Sequence, residues 1–279
     1  MPAEELRFEH HPFQRIGPDV HLIQDVQFAL GRPLCVPINS AVLTGQEPVI
    51  IDTGSPRNRR QWLDDVFSIV EPEDVRWVFV SHEDADHTGN LETVMARCPN
   101  ATLLCSWALV ERFSCVYDFP LHRCRWVADG DTVDIGDRQL AVLRPPIFDS
   151  PSTLSVFDTR SRMMWATDTF ATAIPGTPGS ALIQDVSELD QQAWRDGMTM
   201  FGIHGLAPWV SMADPRRFAA NVTTLQRLDP SVVLTGHSPS IHANRVDEAC
   251  EILGSLAEAP VPPCPDQSVL DLILAAMGD

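Results

Sequence analysis

Residues 81–90, SHEDADHTGN, concentrate metal-binding side chains in one short loop after an apolar run, residues 75–80, that is typical of a buried strand. Positions 82–87 carry two imidazoles and three carboxylates, and a glycine and a predicted helix follow. A strand-to-loop turn can direct four of these side chains inward, namely His82, Asp84, Asp86 and His87. Because neutral imidazole and ionised carboxylate are ready metal ligands, the stretch predicts a pair of divalent or trivalent cations. A solvated acidic loop that caps the next helix is the alternative.

Short apolar runs alternate with longer helix-like segments, which favours a layered α/β fold. The predicted strands are residues 49–53, 76–81, 102–105, 139–143, 153–158, 163–167 and 232–235. The predicted helices are residues 57–70, 91–98, 107–115, 189–200, 215–228, 242–257 and a short closing segment, 269–277. No internal repeat or long linker interrupts this pattern, so we expect one domain over residues 1–279, with a core at 20–240 and a C-terminal helical segment at 241–279.

Turn signals divide the middle of the chain, residues 125–168, into short strands. Asp129-Gly130-Asp131 and Ile135-Gly136-Asp137 match tight turns, so this region is predicted to form hairpins of an antiparallel or mixed sheet. Pro145-Pro146 would disturb a central strand, because proline cannot donate to the hydrogen-bond ladder. We therefore expect the chain to turn outward there, at a strand end, where functional sites often form.

Composition limits the kinds of function. The 279 residues include 20 basic and 38 acidic side chains, which give a net charge of −18, and 44% are hydrophobic. Such a chain can bury a substantial core, and its charge repels nucleic acids and anionic membrane surfaces. It has no apolar run of the roughly 18 residues that a membrane helix needs, and residues 1–13 do not resemble a secretory signal. We therefore expect a cytoplasmic protein that binds neither nucleic acid nor membrane.

Further motifs follow the metal loop in a fixed order. Residues 82–87 read H-x-D-x-D-H and are preceded by IIDTG at 50–54; the other pieces are residues 129–131, 146–152, 166–170 and 235–238. This series resembles the metallo-β-lactamase superfamily, whose signature is H-x-[HE]-x-D-H, over residues 20–240. The resemblance is closest to the diiron domain of flavodiiron proteins and to their oxygen-binding relatives without a flavodoxin domain. It implies an α/β fold, a four-layered αββα sandwich with a dinuclear cleft at one edge of the sheets.

Carried over position by position, the resemblance implies a ligand set for two metal ions. From the first metal to the second, the ligands would be His82, Asp84 and Asp149 of the loop 146–152, then the bridging Asp168, then Asp86, His87 and His237. Asp168 and His237 are also expected at the reacting centre. The remaining histidines have no comparable setting and are expected at the surface or in the core.

Two positions depart from the pattern of the superfamily. Asp84 occupies a position where flavodiiron proteins usually have glutamate, and Asp149 lies where a histidine is expected. The candidate ligands then comprise three histidines and four carboxylates, without cysteine. Such an oxygen-rich set favours iron, whereas zinc and manganese are the alternatives. Asp149 also suits the start of a turn before Ser150-Pro151, so its role as a ligand stays open.

Two activities compete for this predicted centre. In the first, a diiron pair binds or reduces dioxygen or a related diatomic molecule. The 42 residues after His237 are too few for a flavodoxin domain, so reduction would need a separate electron-donor protein. In the second, the metals activate water for a hydrolase acting on a small molecule. A decayed, non-catalytic scaffold is a third possibility, and a homo-oligomer is compatible with each.

Asp52-Thr53-Gly54-Ser55 also matches the signature of aspartic proteases, which need two such aspartates that share a proton. The sequence has no second copy, because the phrase after Asp168 lacks the glycine. We therefore expect Asp52 to be a buried strand-end residue that supports the metal loop from behind.

Overall fold

The described residues of a computed structural model, 7–261 and 263–277, form two β-sheets enclosed by helices; residues 1–6, part of the stretch assessed for a secretory signal, lie outside them. The strands are β1 (Phe8–Arg15), β2 (Val20–Phe28), β3 (Leu34–Leu43), β4 (Val49–Ile51), β5 (Trp77–Phe79), β6 (Thr102–Cys105), β7 (Cys124–Trp126), β8 (Thr132–Asp134), β9 (Gln139–Leu143), β10 (Ser155–Asp158), β11 (Met163–Trp165), β12 (Ile174–Pro175), β13 (Val232–Leu234) and β14 (Ile241–His242).

Helices lie outside the sheets. They are α1 (Arg59–Ile69), α2 (Ala85–Thr88), α3 (Leu91–Arg97), α4 (Trp107–Phe113), α5 (Gln191–Met200), α6 (Pro215–Gln226), α7 (Ala243–Gly254) and α8 (Gln267–Met277). A π-helical segment, Phe201–Leu206, continues α5. Short 3₁₀ turns cover Leu121–Arg123, Val186–Glu188, Pro208–Met212 and Leu256–Glu258.

The first sheet has the strand order β1-β2-β3-β4-β5-β6-β7, with β12 beside β3. Its first four strands are antiparallel, whereas β4 to β7 run parallel. The second sheet has the order β14-β13-β11-β10-β9-β8, and only its β11–β13 pair is parallel among the described strands. Parallel strands in both sheets matter for the site, because their carboxyl ends share an edge.

Three hydrophobic cores separate four layers. The core between the sheets contains Leu22 from the first sheet and Trp165 from the second. On the outer face of the first sheet, Trp62 and its neighbours pack α1, α3 and α4 against the strands. On the outer face of the second sheet, α5, α6 and α7 bury Trp194 and Leu253. The predicted αββα sandwich is therefore confirmed.

The predicted helices and strands are all present, with ends that differ by up to three residues. β9 ends at Leu143, so Pro145-Pro146 lie just after a strand end, as expected. One predicted hairpin was wrong: Asp129-Gly130-Asp131 does not connect two strands of one sheet but carries the chain from β7 in the first sheet to β8 in the second. Both carboxylates accept backbone N–H groups there, so the turn is stable without a hairpin.

The N-terminal strands β1, β2 and β3 were not predicted, although β2 and β3 are long and deeply buried. Their sequences lack the strict alternation of polar and apolar residues, because Gln24, Asp25, Asn39 and Ser40 are all buried in strand interiors. Among the described residues, no helix combines the length and the apolar character needed to cross a bilayer.

Candidate dinuclear metal centre

The seven predicted ligands meet at one edge of the sandwich, where parallel strands of both sheets end. His82 follows β5, Asp168 follows β11, His237 follows β13, Asp149 lies between β9 and β10, Asp84 directly precedes α2, and α2 carries Asp86 and His87. The pairs β4–β5 and β11–β13 supply the converging strand ends. The positions of these residues along the fold thus explain how distant parts of the chain come together.

Asp168 is at the middle of the cluster. Its Oδ2 lies 3.3 Å from Nε2 of His82, and its Oδ1 lies 3.2 Å from Nε2 of His87 and 3.5 Å from Nε2 of His237. The side chain is 1% exposed. Its two oxygens therefore face different histidines, which is the arrangement needed of a carboxylate that bridges two cations.

Two groups of side chains lie on either side of Asp168. We call Asp86, His87 and His237 the His237 half-site, in which Oδ2 of Asp86 is 3.1 Å from Nε2 of His237 and 3.6 Å from Nε2 of His87.

We call His82, Asp84 and Asp149 the His82 half-site. Nε2 of His82 is 3.8 Å from Oδ2 of Asp84 and 3.8 Å from Oδ1 of Asp149. In each half-site the three ligand atoms lie within 4.8 Å of one another, close enough to surround one ion.

Each histidine is anchored through Nδ1. His87 contacts a carboxylate oxygen of Asp52 at 2.9 Å, and His237 donates to the carbonyl of Pro37 at 2.8 Å. Nδ1 of His82 lies 3.1 Å from the Ser81 hydroxyl. When Nδ1 carries the proton, Nε2 of the same ring presents a lone pair, which is the tautomer that a metal ligand needs.

The inner face of the cluster is chemically unsatisfied. Nε2 of His82, Nε2 of His87 and Oδ1 of Asp168 are buried and lack a hydrogen-bond partner among the described residues. Leaving such atoms unpaired costs about 1–3 kcal/mol each. Two imidazole lone pairs and a carboxylate oxygen that point at one another fit a bound cation, so the residues present suit the metal pair that the family resemblance implies.

Asp52 supports the cluster from behind. The residue is fully buried, and its carboxylate accepts hydrogen bonds from the Ser81 backbone at 2.7 Å, the Ser81 hydroxyl at 2.9 Å and Nε1 of Trp165 at 3.0 Å, besides its contact with His87. Its backbone adopts φ +55°, which is uncommon for a residue other than glycine. These contacts agree with the supporting role expected of Asp52.

Asn39 fixes the loop of His237 and was missed by the sequence analysis. Its side-chain amide donates to the carbonyls of Thr235 and Ser238, both at 2.9 Å, and its backbone N–H donates to the carbonyl of Gly236 at 2.8 Å. The carbonyls on both sides of His237 are thereby tied to β3. No local motif marks Asn39, and only its burial in a strand indicates its role.

Glu83 holds the loop that carries Asp149. Its carboxylate accepts hydrogen bonds from the hydroxyl of Ser150 at 2.8 Å and from Ser152, and it forms an ion pair with Arg112 on α4. These bonds outweigh the effect of burial and lower the pKa of Glu83. The sequence placed Glu83 within the metal-binding motif, but its side chain turns away from the predicted ligands and secures a neighbouring loop.

The two carboxylates of the His82 half-site are the most easily protonated of the cluster. Burial raises the pKa of Asp149 to about 6, and the charge of Asp168 adds to the shift. Burial also raises the pKa of Asp84, against the opposing attraction of His82. The carboxylates of Asp84 and Asp149 therefore repel neighbouring negative charges, because partial burial leaves too little water to screen them.

Asp86 and Asp168 behave in the opposite way. Burial alone would raise the pKa of Asp86 and of Asp168, but the neighbouring histidines outweigh it and hold both far below the usual range. The pKa of His87 and of His237 is raised, because nearby carboxylates outweigh burial. Burial and the neighbouring His87 lower the pKa of His82. The cluster thus requires positive charge beside its ionised carboxylates.

A cleft of about 530 Å³ opens onto the cluster. Asp84, Asp86, Asp149, Asp168 and His237 form its base. Its walls are mostly apolar and come from β1 to β3, from the loop after β4 and from the π-helical segment; they include Phe8, Phe28, Val36, Ile38, Pro56, Phe201 and Leu206. The predicted ligands are therefore accessible to a small molecule from one side.

Comparison with known proteins gives a consistent picture. A family model described as ODP family beta lactamase matches residues 38–237. The anaerobic nitric oxide reductase flavorubredoxin of Pectobacterium atrosepticum is 26% identical over 133 residues, which cover 47% of this chain and 26% of that protein. The chain thus spans about a quarter of the length of this curated relative.

Solved structures with the same fold include two that match most of the chain. Rubredoxin oxygen:oxidoreductase from Desulfovibrio gigas has a TM-score of 0.72 at 14% identity, covering 88% of this chain and 61% of that one. The flavodiiron protein from Giardia intestinalis has a TM-score of 0.73 at 15% identity, covering 90% and 60%. At these identities the similarity describes the fold.

Proposed function

Because the chain belongs to the ODP family of beta-lactamase-like proteins, we propose that it holds two iron ions and binds or reduces dioxygen or a related diatomic molecule. The observation that carries the proposal is the convergence of three histidine Nε2 atoms on the two oxygens of Asp168. Hydrogen bonds from Nδ1 orient these rings before any ion binds.

The seven predicted ligands fall into two groups, one for each ion, with Asp168 between them. The His82 half-site would hold one ion, the His237 half-site the other, and Asp168 would contact both. When bound, an iron pair supplies open coordination positions for a diatomic molecule and electrons for its reduction. The chain itself orients the imidazoles and limits the approach of water through the apolar walls of the cleft.

Iron and a diatomic substrate are favoured by two observations. Four carboxylates and three histidines, without cysteine, make an oxygen-rich set that suits iron better than a thiolate site would. The similar proteins carry names that refer to nitric oxide reduction and to an oxygen oxidoreductase. The name of the second also refers to rubredoxin, and we propose that a separate electron-donor protein serves this chain.

Elemental analysis of anaerobically purified protein tests the proposal. We expect about two irons per chain and a new absorption band in the near-ultraviolet or visible range when air or nitric oxide is admitted. Asp158→Asn is the control and should keep its iron. Asp158 is as buried as Asp168, but it forms an ion pair with Arg138 and is not a predicted ligand. Colourless protein that contains only zinc would overturn the proposal.

A metal-dependent hydrolase is the second candidate, and the size of the cleft favours it. A cleft of about 530 Å³ accepts an organic ester or amide as readily as a gas. A metal pair in the same ligands would supply Lewis-acid activation of water. Turnover of phosphoester, thioester or amide substrates by zinc-loaded protein, abolished in Asp168→Ala, would favour this candidate.

A further inference from the structure

The cleft is much larger than a diatomic molecule requires. A molecule of two atoms occupies about the volume of one water in the liquid, ~30 Å³, whereas the cleft measures about 530 Å³. Clefts of this size usually bury a larger organic molecule between apolar walls, with a few polar groups that orient it. The cleft therefore has room for a larger, second ligand besides the gas.

Two walls of the cleft provide the apolar surface for such a ligand. One wall contains Phe28 and Ile38, which are 6% and 5% exposed, on β2 and β3. The other contains Phe201 and Leu206 at the two ends of the π-helical segment. Between the rim and the acidic base these walls offer no charged side chain among the described lining residues.

The lining of the cleft carries charges of both signs. The four aspartates at its base are the only acidic side chains among the described lining residues, and Arg57 at the rim is the only arginine there. Its guanidinium lies over the ring of Phe8, 5.3 Å from the ring centre. Arg57 is exposed, and within the described residues its side chain forms no ion pair with a carboxylate. Its charge is therefore available to an anion that enters the cleft.

We infer that the cleft binds an elongated organic anion, with its acidic group at Arg57 and its apolar body between the two walls. An arginine fork matches a carboxylate or a phosphate in two parallel hydrogen bonds. Arg57 is the only arginine among the described lining residues, and these include no lysine, so the acidic end is placed there and the apolar body extends toward Asp168. The inference adds a ligand to the proposed function and stands on the walls and on Arg57, not on the identity of the metals.

Calorimetric titration of the metal-loaded protein with three probes tests the inference. Octanoate and octyl phosphate carry the two acidic groups, and octanol has the same chain without charge. We expect both anions to bind at least tenfold more tightly than octanol, and the stronger of the two identifies the preferred acidic group. Equal binding of all three, or no binding of either anion at millimolar concentration, would overturn the inference.

A matched pair of arginine variants locates the anion. Arg57→Ala should weaken both anions about tenfold and leave octanol unchanged, since one charge-assisted contact is lost. Arg60→Ala is the control, because Arg60 is exposed on α1, lies near Asp64 at 3.7 Å and does not line the cleft. If Arg57→Ala binds the anions as the unmodified protein does, the acidic group contacts the metals or another surface, and the inference fails.

The apolar wall is tested separately from the metals. Val36→Ser on β3 should weaken all three probes to a similar extent, because it removes apolar surface that each would cover. Metal content is measured on the same samples. If the protein contains only zinc but its anion binding still depends on Arg57, the proposed iron chemistry is contradicted and the organic-anion site is supported. If the protein contains iron but its anion binding does not depend on Arg57, the iron proposal is supported and the organic-anion site is contradicted.

Discussion

The two halves of the predicted metal centre differ in how firmly the fold holds them. In the His237 half-site the histidine side chains are 1% and 7% exposed, and both rings are anchored through Nδ1. The His82 half-site has only one such histidine, His82, which is 0% exposed, and two carboxylates, Asp84 and Asp149, which are 54% and 21% exposed. The His237 half-site has a single carboxylate, Asp86, which is 29% exposed. Among the described residues neither of these two carboxylates accepts a hydrogen bond from another side chain.

One fold can therefore combine a cation site whose ligands are already ordered with a cation site whose ligands become ordered only when the metal binds. Anchored histidines lose little freedom when a metal binds, whereas Asp84 and Asp149 must still be ordered and relieved of mutual repulsion. We therefore expect the His237 half-site to bind its ion more tightly.

Asp168→Ala should have the largest effect, because Asp168 faces both half-sites. We expect the metal content to fall from about two ions per chain to near zero while the fold is retained. Elemental analysis measures the metal content, and circular dichroism measures whether the fold is retained.

His87→Ala should lose the ion of the His237 half-site and retain part of the metal bound in the His82 half-site. Unchanged metal stoichiometry in both variants would exclude the proposed ligand assignment.

Asp52→Asn should selectively weaken the His237 half-site. An amide has no charge and only one acceptor oxygen for the four donors that Asp52 now serves, so the proton on Nδ1 of His87 would be held less firmly and the ring would shift toward the tautomer with a proton on Nε2. Loss of such a supporting carboxylate lowers metal affinity about 10- to 100-fold. Competition with a chromophoric chelator measures the affinity, and Asp158→Asn is the control for loss of a buried charge. Equal affinities in the two variants would contradict the prediction.

Asn39→Ala should have a smaller effect on the same half-site. It removes the amide that holds the carbonyls of Thr235 and Ser238, and the two lost bonds should cost about 1–3 kcal/mol of unfolding free energy. Metal affinity at His237 should fall roughly 2- to 10-fold.

Arg123→Ala is the control for Asn39→Ala. Arg123 donates to backbone carbonyls of Met95, Cys98 and Ala101, remote from the predicted ligands. This variant should lose stability in urea without a change in metal affinity. If both variants alter affinity equally, Asn39 contributes only to general stability.

Asp149→His should change the His82 half-site without weakening the other. An imidazole there makes the set less oxygen-rich, so the ratio of zinc to iron bound from an equal mixture should rise severalfold. Anaerobic loading followed by elemental analysis gives the ratio. An unchanged ratio would mean that Asp149 supports the loop rather than the metal.

His10 provides a contrast from outside the centre and the smallest expected effect. Its nitrogens lie 2.8 Å from Asp25 and 3.0 Å from Asp65, so neither is open to a metal. Burial opposes protonation, but these two carboxylates outweigh it and raise the pKa of His10. Its contribution to stability is therefore complete below pH 6.5, the ordinary histidine pKa, and is lost as the pH rises through the raised value.

Urea unfolding at several pH values measures this contribution. The unfolding free energy of the metal-loaded protein should exceed that of His10→Ala by more at pH 6 than at pH 8. The metal content of the two proteins should be equal. A difference that grows with rising pH would show that His10 is held in its neutral form.

The sequence predicted the helices, many of the strands and the metal loop because their signals are local, whereas the four-layered arrangement was implied by the family resemblance. The apolar run before His82 and the contiguous motif place His82, Asp84, Asp86 and His87 on one loop without tertiary information. His237 and Asp168 could be identified as candidate ligands because each follows an apolar strand. Their positions relative to the loop depended on the family resemblance rather than on the residues alone.

Apart from Asp52, the side chains that support the predicted ligands could not be predicted in this way, and neither could the walls of the cleft. Gln24 and Asn39 are polar but buried in strands, and what makes their burial favourable is a set of partners far along the chain, such as the carbonyl of Thr235. Single-sequence patterns carry no sign of such partners. Glu83 was equally ambiguous, because a carboxylate within a metal motif can face the ion or, as here, bind the hydroxyls of Ser150 and Ser152.

The strands β1 and β2 contribute Phe8 and Phe28 to the cleft but none of the predicted ligands. Mutations in this part of the chain can therefore alter which compounds enter the cleft while the predicted metal ligands stay unchanged. Descendants of one ancestral gene could acquire new chemical preferences by remodelling the rim, without first passing through a form unable to retain its ions.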